Sequence, residues 1–181
     1  SPNKLSTSTI GDELKVCTGG KAVVYAIAPF RDAAVLSAGH AANGALWIDD
    51  VSGNWCSSRF YFNALPSWAQ AYNKLNAPAA KVGKTTWEPY SILASNFSYF
   101  MQTGETKPFK HQFEGTQRYK NYKTSALVNT DITDMALQCI ASTGMGNDKI
   151  TDLLCLTYYA GTYEHKAVTD CQISRSEERR V

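Results

Sequence analysis

The chain has 181 residues, of which 44% are hydrophobic and 19% are charged, and this size and composition fit one globular domain. The apolar content excludes an intrinsically disordered chain. A formal net charge of +2 is too small for a nucleic-acid-binding surface, which needs basic residues clustered on one face. No apolar stretch approaches the roughly 18 residues of a membrane span. We therefore expect no nucleic-acid partner and no membrane span.

The N-terminal part of the chain predicts two short helices around a buried strand. Thr9 lies three residues before Asp12, which is the spacing of a helix cap. The run KAVVYAIA at residues 21–28 is apolar and β-branched, as in a buried strand. Asp32 would then cap a second helix that ends near Gly39.

A hairpin and an amphipathic helix are predicted next. The segments 46–50 and 55–62 flank the turn-forming residues 52–54, which favours a β-hairpin. Pro66 is placed in the first turn of a helix that follows. The apolar stripe of that helix consists of Leu65, Trp68, Ala69, Tyr72 and Leu75.

Residues 76–122 have no regular pattern and are interpreted as an irregular insertion, a lid or binding loop with one short helix over 91–101. The aromatic residues of this insertion could stack a base or a sugar, but a small second core is the commoner use of such residues. The charged residues 167–181 are interpreted as a solvated or frayed tail.

The strongest periodic segment lies after the insertion. Its apolar residues recur at helical spacing, which predicts a helix facing the core and ending at Gly144; they are Ile132, Met135, Ala136, Cys139 and Ile140. The apolar run at 150–159 predicts a parallel strand that is covered on both faces. Strands and helices alternate at both ends of the chain, so the predicted fold class is α/β, one domain over 1–181 with helices on the faces of a sheet and a central insertion.

Ligands of open α/β sheets bind beyond the carboxyl ends of the strands. The sequence predicts two such strand ends, at 29–40 and at 160–166. Arg31 could hold a phosphate through a bidentate contact, or it could be a solvated arginine paired with Asp32. His40 lies in a turn of small residues, where it could approach a ligand or bond to nearby backbone. We predict both residues as substrate-binding candidates.

Glu164 and His165 are candidate metal ligands after the last strand. Adjacent residues seldom both reach one ion, and a catalytic zinc typically needs three protein ligands. The five cysteines are odd in number and lack C-x-x-C spacing, so we do not expect a zinc ribbon. Cys139 and Cys155 lie in apolar patterns and are interpreted as buried hydrophobic residues. The cysteine content fits an oxidising compartment as well as a reducing one.

Several of these segments together resemble the PafA-type bacterial alkaline phosphatases, of the alkaline phosphatase and nucleotide pyrophosphatase/phosphodiesterase superfamily. The resemblance covers roughly residues 8–166 in order, and its segments are TSTIGDELK, VYAIAPFRDAAVLSAGHAANGALWIDD, SGNWCSSRFYF, LPSWAQAYN, YKTSALVNTDITDMALQCI and TDLLCLTYYAGTYEHK. It implies an alkaline-phosphatase-like sheet, zinc as cofactor, a phosphate ester or nucleotide-like small molecule as ligand, and a periplasmic or secreted location. It also implies that the threonine nucleophile and most zinc ligands of such an enzyme lie outside the matched segment.

The resemblance also exposes departures from the family pattern. An ungapped match puts Phe30 at the position of a phosphate-binding lysine and Asp32 at that of an arginine, with Arg31 between them. Thr162 and Lys166 fall where the family has an aspartate and a histidine that bind zinc. These departures predict either a phosphoric ester hydrolase-like protein that favours diesters, or a binding module without catalysis. A third possibility is a structural domain without a ligand.

Overall fold

The structure, a computed structural model, describes residues 2–88 and 110–161. The predicted helix over 91–101, the charged tail, and the candidate metal ligands Glu164 and His165 lie outside the described residues. The described helices are α1 (Ile10–Cys17), α2 (Arg31–Ala38), α3 (Ser67–Leu75), α4 (Pro78–Lys81), α5 (Arg118–Tyr122) and α6 (Val128–Thr143), with a 3₁₀ turn at Val82–Lys84. The described strands are β1 (Val24–Ile27), β2 (Gly44–Ile48), β3 (Trp55–Cys56), β4 (Thr86–Trp87), β5 (His111–Gln112) and β6 (Leu153–Leu156).

Four of these strands form the central sheet, in the order β3-β2-β1-β6. Strands β2 and β6 pair with β1 in parallel, with Tyr25 opposite both Gly44 and Leu154, and β3 pairs with β2 antiparallel. Strands β4 and β5 form a separate two-stranded ribbon. The three parallel strands therefore direct their carboxyl ends to the same edge of the sheet.

Helices cover both faces of the sheet. Alternate residues of a strand point to opposite faces, so strand β1 contributes to both core clusters. Tyr25 and Ile27 join the core cluster that includes α3 and α6, whereas Ala26 joins the cluster under α2. Strand β6 is parallel to β1, as expected, but it is only partly buried. The prediction that this strand is covered on both faces is confirmed in part: Leu154 and Leu156 pack against one core cluster and Cys155 against the other, but the strand stays partly exposed at the end of the described sheet.

The predicted cap of α1 is confirmed and that of α2 is wrong. Thr9 and Asp12 form a capping box, in which each side chain accepts a bond from the backbone N–H of the other. Helix α2 begins two residues earlier than expected: Phe30 is its N-cap, and Asp32 lies in the first turn without capping it. Gly39 ends α2 with φ of +74°, a left-handed value that suits glycine.

The hairpin and α3 are confirmed with smaller extents. The second hairpin strand ends at Cys56 instead of continuing to residue 62. Pro66 is the N-cap of α3 and not a residue of its first turn. Tyr72 is buried, but Leu75, the last residue of the helix, is 78% exposed.

The described part of the insertion contributes to the core instead of forming an open loop or a separate second core. Its buried aromatic side chains are Trp87, Phe113, Tyr119 and Tyr122, and they belong to the same cluster as the sheet residues on that face. Lys81 of α4 forms an ion pair with the fully buried Asp131 of α6, and the Tyr122 hydroxyl donates to the same carboxylate at 2.6 Å. This network ties the insertion to α6.

Helix α6 presents its predicted stripe to the core with one exception. Ile132, Met135 and Cys139 are buried, whereas Ile140 at the margin of the stripe is largely exposed. Gly144 ends the helix in the left-handed conformation, as predicted. Neither α6 nor any other described helix combines the length and apolar character needed to cross a membrane.

Candidate functional site

A cavity of about 310 Å³ lies at the carboxyl edge of the parallel strands. Strand β1 leads through Pro29 into the N-terminus of α2, and β2 leads into Asp49 and Asp50. The residues that line the cavity are Phe30, Arg31, Asp32, Trp47, Ile48, Asp49, Asp50 and Lys123. This is the edge at which open α/β sheets bind ligands, so the cavity is the candidate site.

Lys123 is one of the residues of this site that sequence reasoning missed, as are Asp49 and Asp50. It lies between α5 and α6, and its side chain is only 3% exposed. Its Nζ donates to the Ile48 carbonyl at 2.9 Å, forms an ion pair with Asp50, and lies 4.6 Å from the centroid of the Phe30 ring. Nothing in its local sequence distinguishes Lys123 from a surface lysine, because the contacts that bury it come from residues far away in the chain.

Arg31 lies at the mouth of the cavity, where the structure shows the solvated pairing with Asp32. Its Nε lies 3.1 Å from Asp32 Oδ1, and the two side chains are 67% and 79% exposed. Exposed pairs of this kind stabilise a fold by about 0–1 kcal/mol, so the pair can open without a large cost. A role of Arg31 in substrate binding stays a prediction.

Asp49 keeps its charge by bonding to the hairpin turn. Its Oδ2 accepts from the backbone N–H of Ser52 at 2.7 Å and of Val51 at 3.2 Å. The bond from Ser52 is the main reason that the pKa of Asp49 lies below its usual value, and the nearby Lys123 ammonium lowers it further. The carboxylates of the cavity thus outnumber its cations, and both cations, Arg31 and Lys123, have a carboxylate partner.

The chain that leaves β6 is fixed beside the same site. The rings of Tyr159 and Phe30 meet edge to face, with centroids 5.7 Å apart. Asn129 of α6 donates to the Tyr159 carbonyl at 2.9 Å and accepts from its N–H at 2.8 Å. The second predicted strand end therefore begins at this edge, although Glu164 and His165 lie outside the described residues.

His40 is held at the opposite end of α2 from Arg31. Helix α2 has eight residues, which separates the two ends by about 12 Å. The His40 Nδ1 lies 3.2 Å from Asp12 Oδ2, while Asp12 Oδ1 accepts from the backbone N–H of His40 and of Ala41. The structure thus does not bring Arg31 and His40 together, and the ring of His40 bonds to a carboxylate.

Burial raises the pKa of three thiols in the described part of the chain, those of Cys56, Cys139 and Cys155. Cys17, Cys56, Cys139 and Cys155 are free. Burial raises the pKa of Cys56 to about 12 and that of Cys139 to about 11, so neither is a thiolate at neutral pH. Cys139 is fully buried, and Cys155 is partly buried. No nucleophilic role follows for these residues.

Three curated relatives match most of this chain but only part of their own length. Alkaline phosphatase PhoV of Synechococcus elongatus is 28% identical over 177 residues, and alkaline phosphatase PafA of Elizabethkingia meningoseptica is 30% identical over 176 residues. A protein of Myroides odoratus named as a calcium-transporting ATPase is 28% identical over 180 residues. Each match covers 90% of this chain and 32% of the relative. No protein-family model matches the chain.

Solved structures of PafA agree with this result. The crystal structure of wild-type PafA matches 98% of this chain with a TM-score of 0.71 and 26% identity. The chain resembles one segment of the PafA-type alkaline phosphatases in both sequence and fold. A structure of a PafA variant with four substitutions matches with a TM-score of 0.73 and 26% identity. Each match covers 38% of the PafA chain, so this chain spans about a third of its relatives' length.

The match to PafA confirms the predicted fold class and family resemblance. The zinc that the resemblance implies does not fit the described residues, among which no group of three or more His, Cys, Asp or Glu side chains could hold a metal ion. The carboxylates at the cavity are instead used by Arg31, Lys123 and the hairpin turn. A zinc site at Glu164 and His165 stays a prediction.

Proposed function

We propose that this chain forms the ester-binding edge of a phosphoric ester hydrolase-like protein, and that its cavity favours phosphodiesters over phosphomonoesters. Two curated relatives are named as alkaline phosphatases, which supports a phosphate ester as ligand. The observation that carries the diester preference is the pairing of both cavity cations, Arg31 and Lys123, with carboxylates.

The preference follows from charge. A phosphomonoester is a dianion near neutral pH, whereas a diester is a monoanion with one negative charge to compensate. Preorganised cations that face the transferred group are the usual means of stabilising such charge. By the family resemblance, Phe30 and Asp32 stand where a lysine and an arginine would supply it. A dianion would therefore meet too little positive charge at this cavity.

The 181-residue chain itself is expected to have no hydrolytic activity. We propose that the nucleophile and most metal ligands of the related enzymes have no counterpart within it. The chain should release no nitrophenol from p-nitrophenyl phosphate or bis(p-nitrophenyl) phosphate, with or without added zinc. Zinc-dependent release that a chelator abolishes would contradict this proposal.

Restoring the family cations tests the diester preference. The double variant Phe30→Lys/Asp32→Arg should bind phenyl phosphate, a monoester, at least about fivefold more tightly than the original chain, which corresponds to about 1 kcal/mol. Binding of diethyl phosphate should change less. The matched control is Phe60→Lys/Glu13→Arg, which makes the same change of net charge at two exposed residues that do not line the cavity. An equal gain of monoester affinity in the control would contradict the proposal.

A binding module without catalysis is the second candidate function. It is favoured by the lack of a metal-binding group among the described residues and by Phe30 and Asp32 at the family's cation positions. Zinc stoichiometry of the purified chain and of His165→Ala separates the two candidates. One equivalent of zinc that the substitution removes would support a rearranged metal site at 164–165, whereas no bound zinc would support the binding module. The periplasmic or secreted location stays a proposal that cell fractionation would test.

A further inference from the structure

We propose that Lys123 is the cation that recognises the phosphate group at this cavity, and that Asp50 is an internal competitor which the phosphate displaces. The inference rests on the proposed function and deepens it, because it names the recognition group and the charge of the ligand. Its basis is the unequal burial of an ion pair that lines the cavity.

The two partners of this pair differ in their access to water. The Lys123 side chain is 3% exposed and that of Asp50 is 56% exposed. A buried ammonium loses stability without a counter-charge, whereas a half-exposed carboxylate can return to water at a small cost. The pair therefore opens from the Asp50 side, and only when another anion takes the place of the carboxylate.

The remaining contacts of Lys123 stay in place during such an exchange. An ammonium has three N–H donors, and one of them donates to the Ile48 carbonyl, which belongs to the rigid strand β2. The Phe30 ring covers another side of the nitrogen, at 4.6 Å from its centroid, a distance typical of cation–π contacts. Of these three contacts with described residues, the one to Asp50 is made by the side chain that water reaches most easily.

The size and charge of the cavity restrict the ligand. Its volume of about 310 Å³ is at the lower end of the range for small-molecule sites. After Asp50 turns away, the Asp49 carboxylate stays bonded to the turn through Ser52, so negative charge remains close to the ligand. One ammonium then balances one negative charge. The ligand class is accordingly a phosphate monoanion, such as the phosphodiester group of a small molecule.

Four proteins test this exchange: the original chain, Asp50→Asn, Lys123→Met and the control Glu88→Gln. Glu88 is 52% exposed and pairs with Lys110, much as the 56% exposed Asp50 pairs with Lys123, but neither Glu88 nor Lys110 lines the cavity. Diethyl phosphate is titrated into each protein by calorimetry and by backbone amide NMR. We expect Asp50→Asn to bind about fivefold more tightly, since losing the competitor is worth about 1 kcal/mol. Lys123→Met should lose measurable binding, and Glu88→Gln should change affinity less than twofold.

Each other outcome overturns the inference. Affinity that Asp50→Asn lowers or leaves unchanged would show that Asp50 does not compete with the ligand, and the proposed function would stand with another recognition group. The same conclusion holds if Lys123→Met binds normally, or if Glu88→Gln gains as much as Asp50→Asn. Absence of binding in all four proteins would overturn the proposed function as well. The amide signal of Ile48 reports whether Lys123→Met keeps the fold, and Asp50→Asn decides the test if it does not.

Discussion

The two ends of the parallel sheet hold their carboxylates in different ways. At the amino end, Asp12 accepts from the backbone N–H groups of Thr9, His40 and Ala41, at distances of 2.6 to 2.9 Å. At the carboxyl end, Asp50 is half-exposed and pairs with the Lys123 side chain. Backbone groups cannot leave without unfolding, whereas a side-chain pair can exchange its partner.

This difference assigns separate roles to the two ends. The bonds of Asp12 join α1 to the turn after α2, so this cluster stabilises the packing of helices. The Asp50 pair lies at a cavity and leaves an ammonium that can accept another anion. We therefore expect substitutions at the amino end to affect stability, and substitutions at the carboxyl end to affect ligand affinity.

The largest expected loss of stability comes from Gly39→Ala. A Cβ at this position would overlap Thr9 Oγ1 and the Asp12 carboxylate, and the residue has a positive φ. We expect a loss of about 3 kcal/mol in the free energy of unfolding, measured with denaturant. The matched control is Gly19→Ala, which has a φ of +59° but open space around a Cβ, and it should lose only about 1 kcal/mol. Equal losses would show that the amino-end cluster is loosely packed.

The stability of the protein should also depend on pH through Asp12. Burial opposes ionisation of this carboxyl, but bonds from the N–H groups of Thr9, Ala41 and His40 outweigh it and lower its pKa from 3.8 to about 2. A group whose pKa is lower in the folded state stabilises the fold above its unfolded pKa. We expect about 2 kcal/mol of stability to disappear as the pH falls from about 4 to about 2. The free energy of unfolding of Asp12→Asn should lack this dependence on pH. An unchanged dependence in the variant would show that Asp12 is not its source.

A smaller loss is expected from Asp50→Asn. The substitution removes the counter-charge of Lys123, but the Ile48 carbonyl and the Phe30 ring still contact the ammonium. We expect a loss of about 1 kcal/mol without added anion, and a recovery of thermal stability when diethyl phosphate is added. A loss as large as that of Gly39→Ala would mean that Asp50 supports the fold as firmly as Asp12 does.

The smallest effect is expected from Arg31→Ala. Both members of the Arg31–Asp32 pair are mostly exposed, and such substitutions usually change stability by less than about 0.5 kcal/mol. Adding 0.5 M salt should likewise change the free energy of unfolding of this variant by less than about 0.5 kcal/mol. A loss above 1 kcal/mol would show that Arg31 has a structural role at the start of α2.

The sequence was sufficient for local features of the fold. The capping box of Thr9 and Asp12, strand β1 and the stripe of α6 depend on residues close together in the chain, and all three are confirmed. Exposure at stripe margins, as for Ile140, depends on which element packs beside the helix and could not be predicted.

The site was only partly predictable for the same reason. The carboxyl end of β1 was expected to bind a ligand from the general rule for open α/β sheets, and the cavity lies there. Lys123 was missed because its burial comes from Ile48 and Phe30, which are distant in the chain. His40 follows Arg31 closely in sequence, but the length of α2 places it at the other end of the sheet.

Mapping of a bound phosphate diester onto the backbone amides shows which end of the parallel sheet binds the ligand. The ¹⁵N-labelled chain is titrated with diethyl phosphate, and the amide shifts of both ends of the sheet are followed. We expect saturable shifts of the amide signals of Phe30, Ile48 and Lys123, and unchanged signals of His40 and Ala41. Shifts concentrated at His40 and Ala41 would contradict the claim that the carboxyl end is the ligand-binding end of this protein.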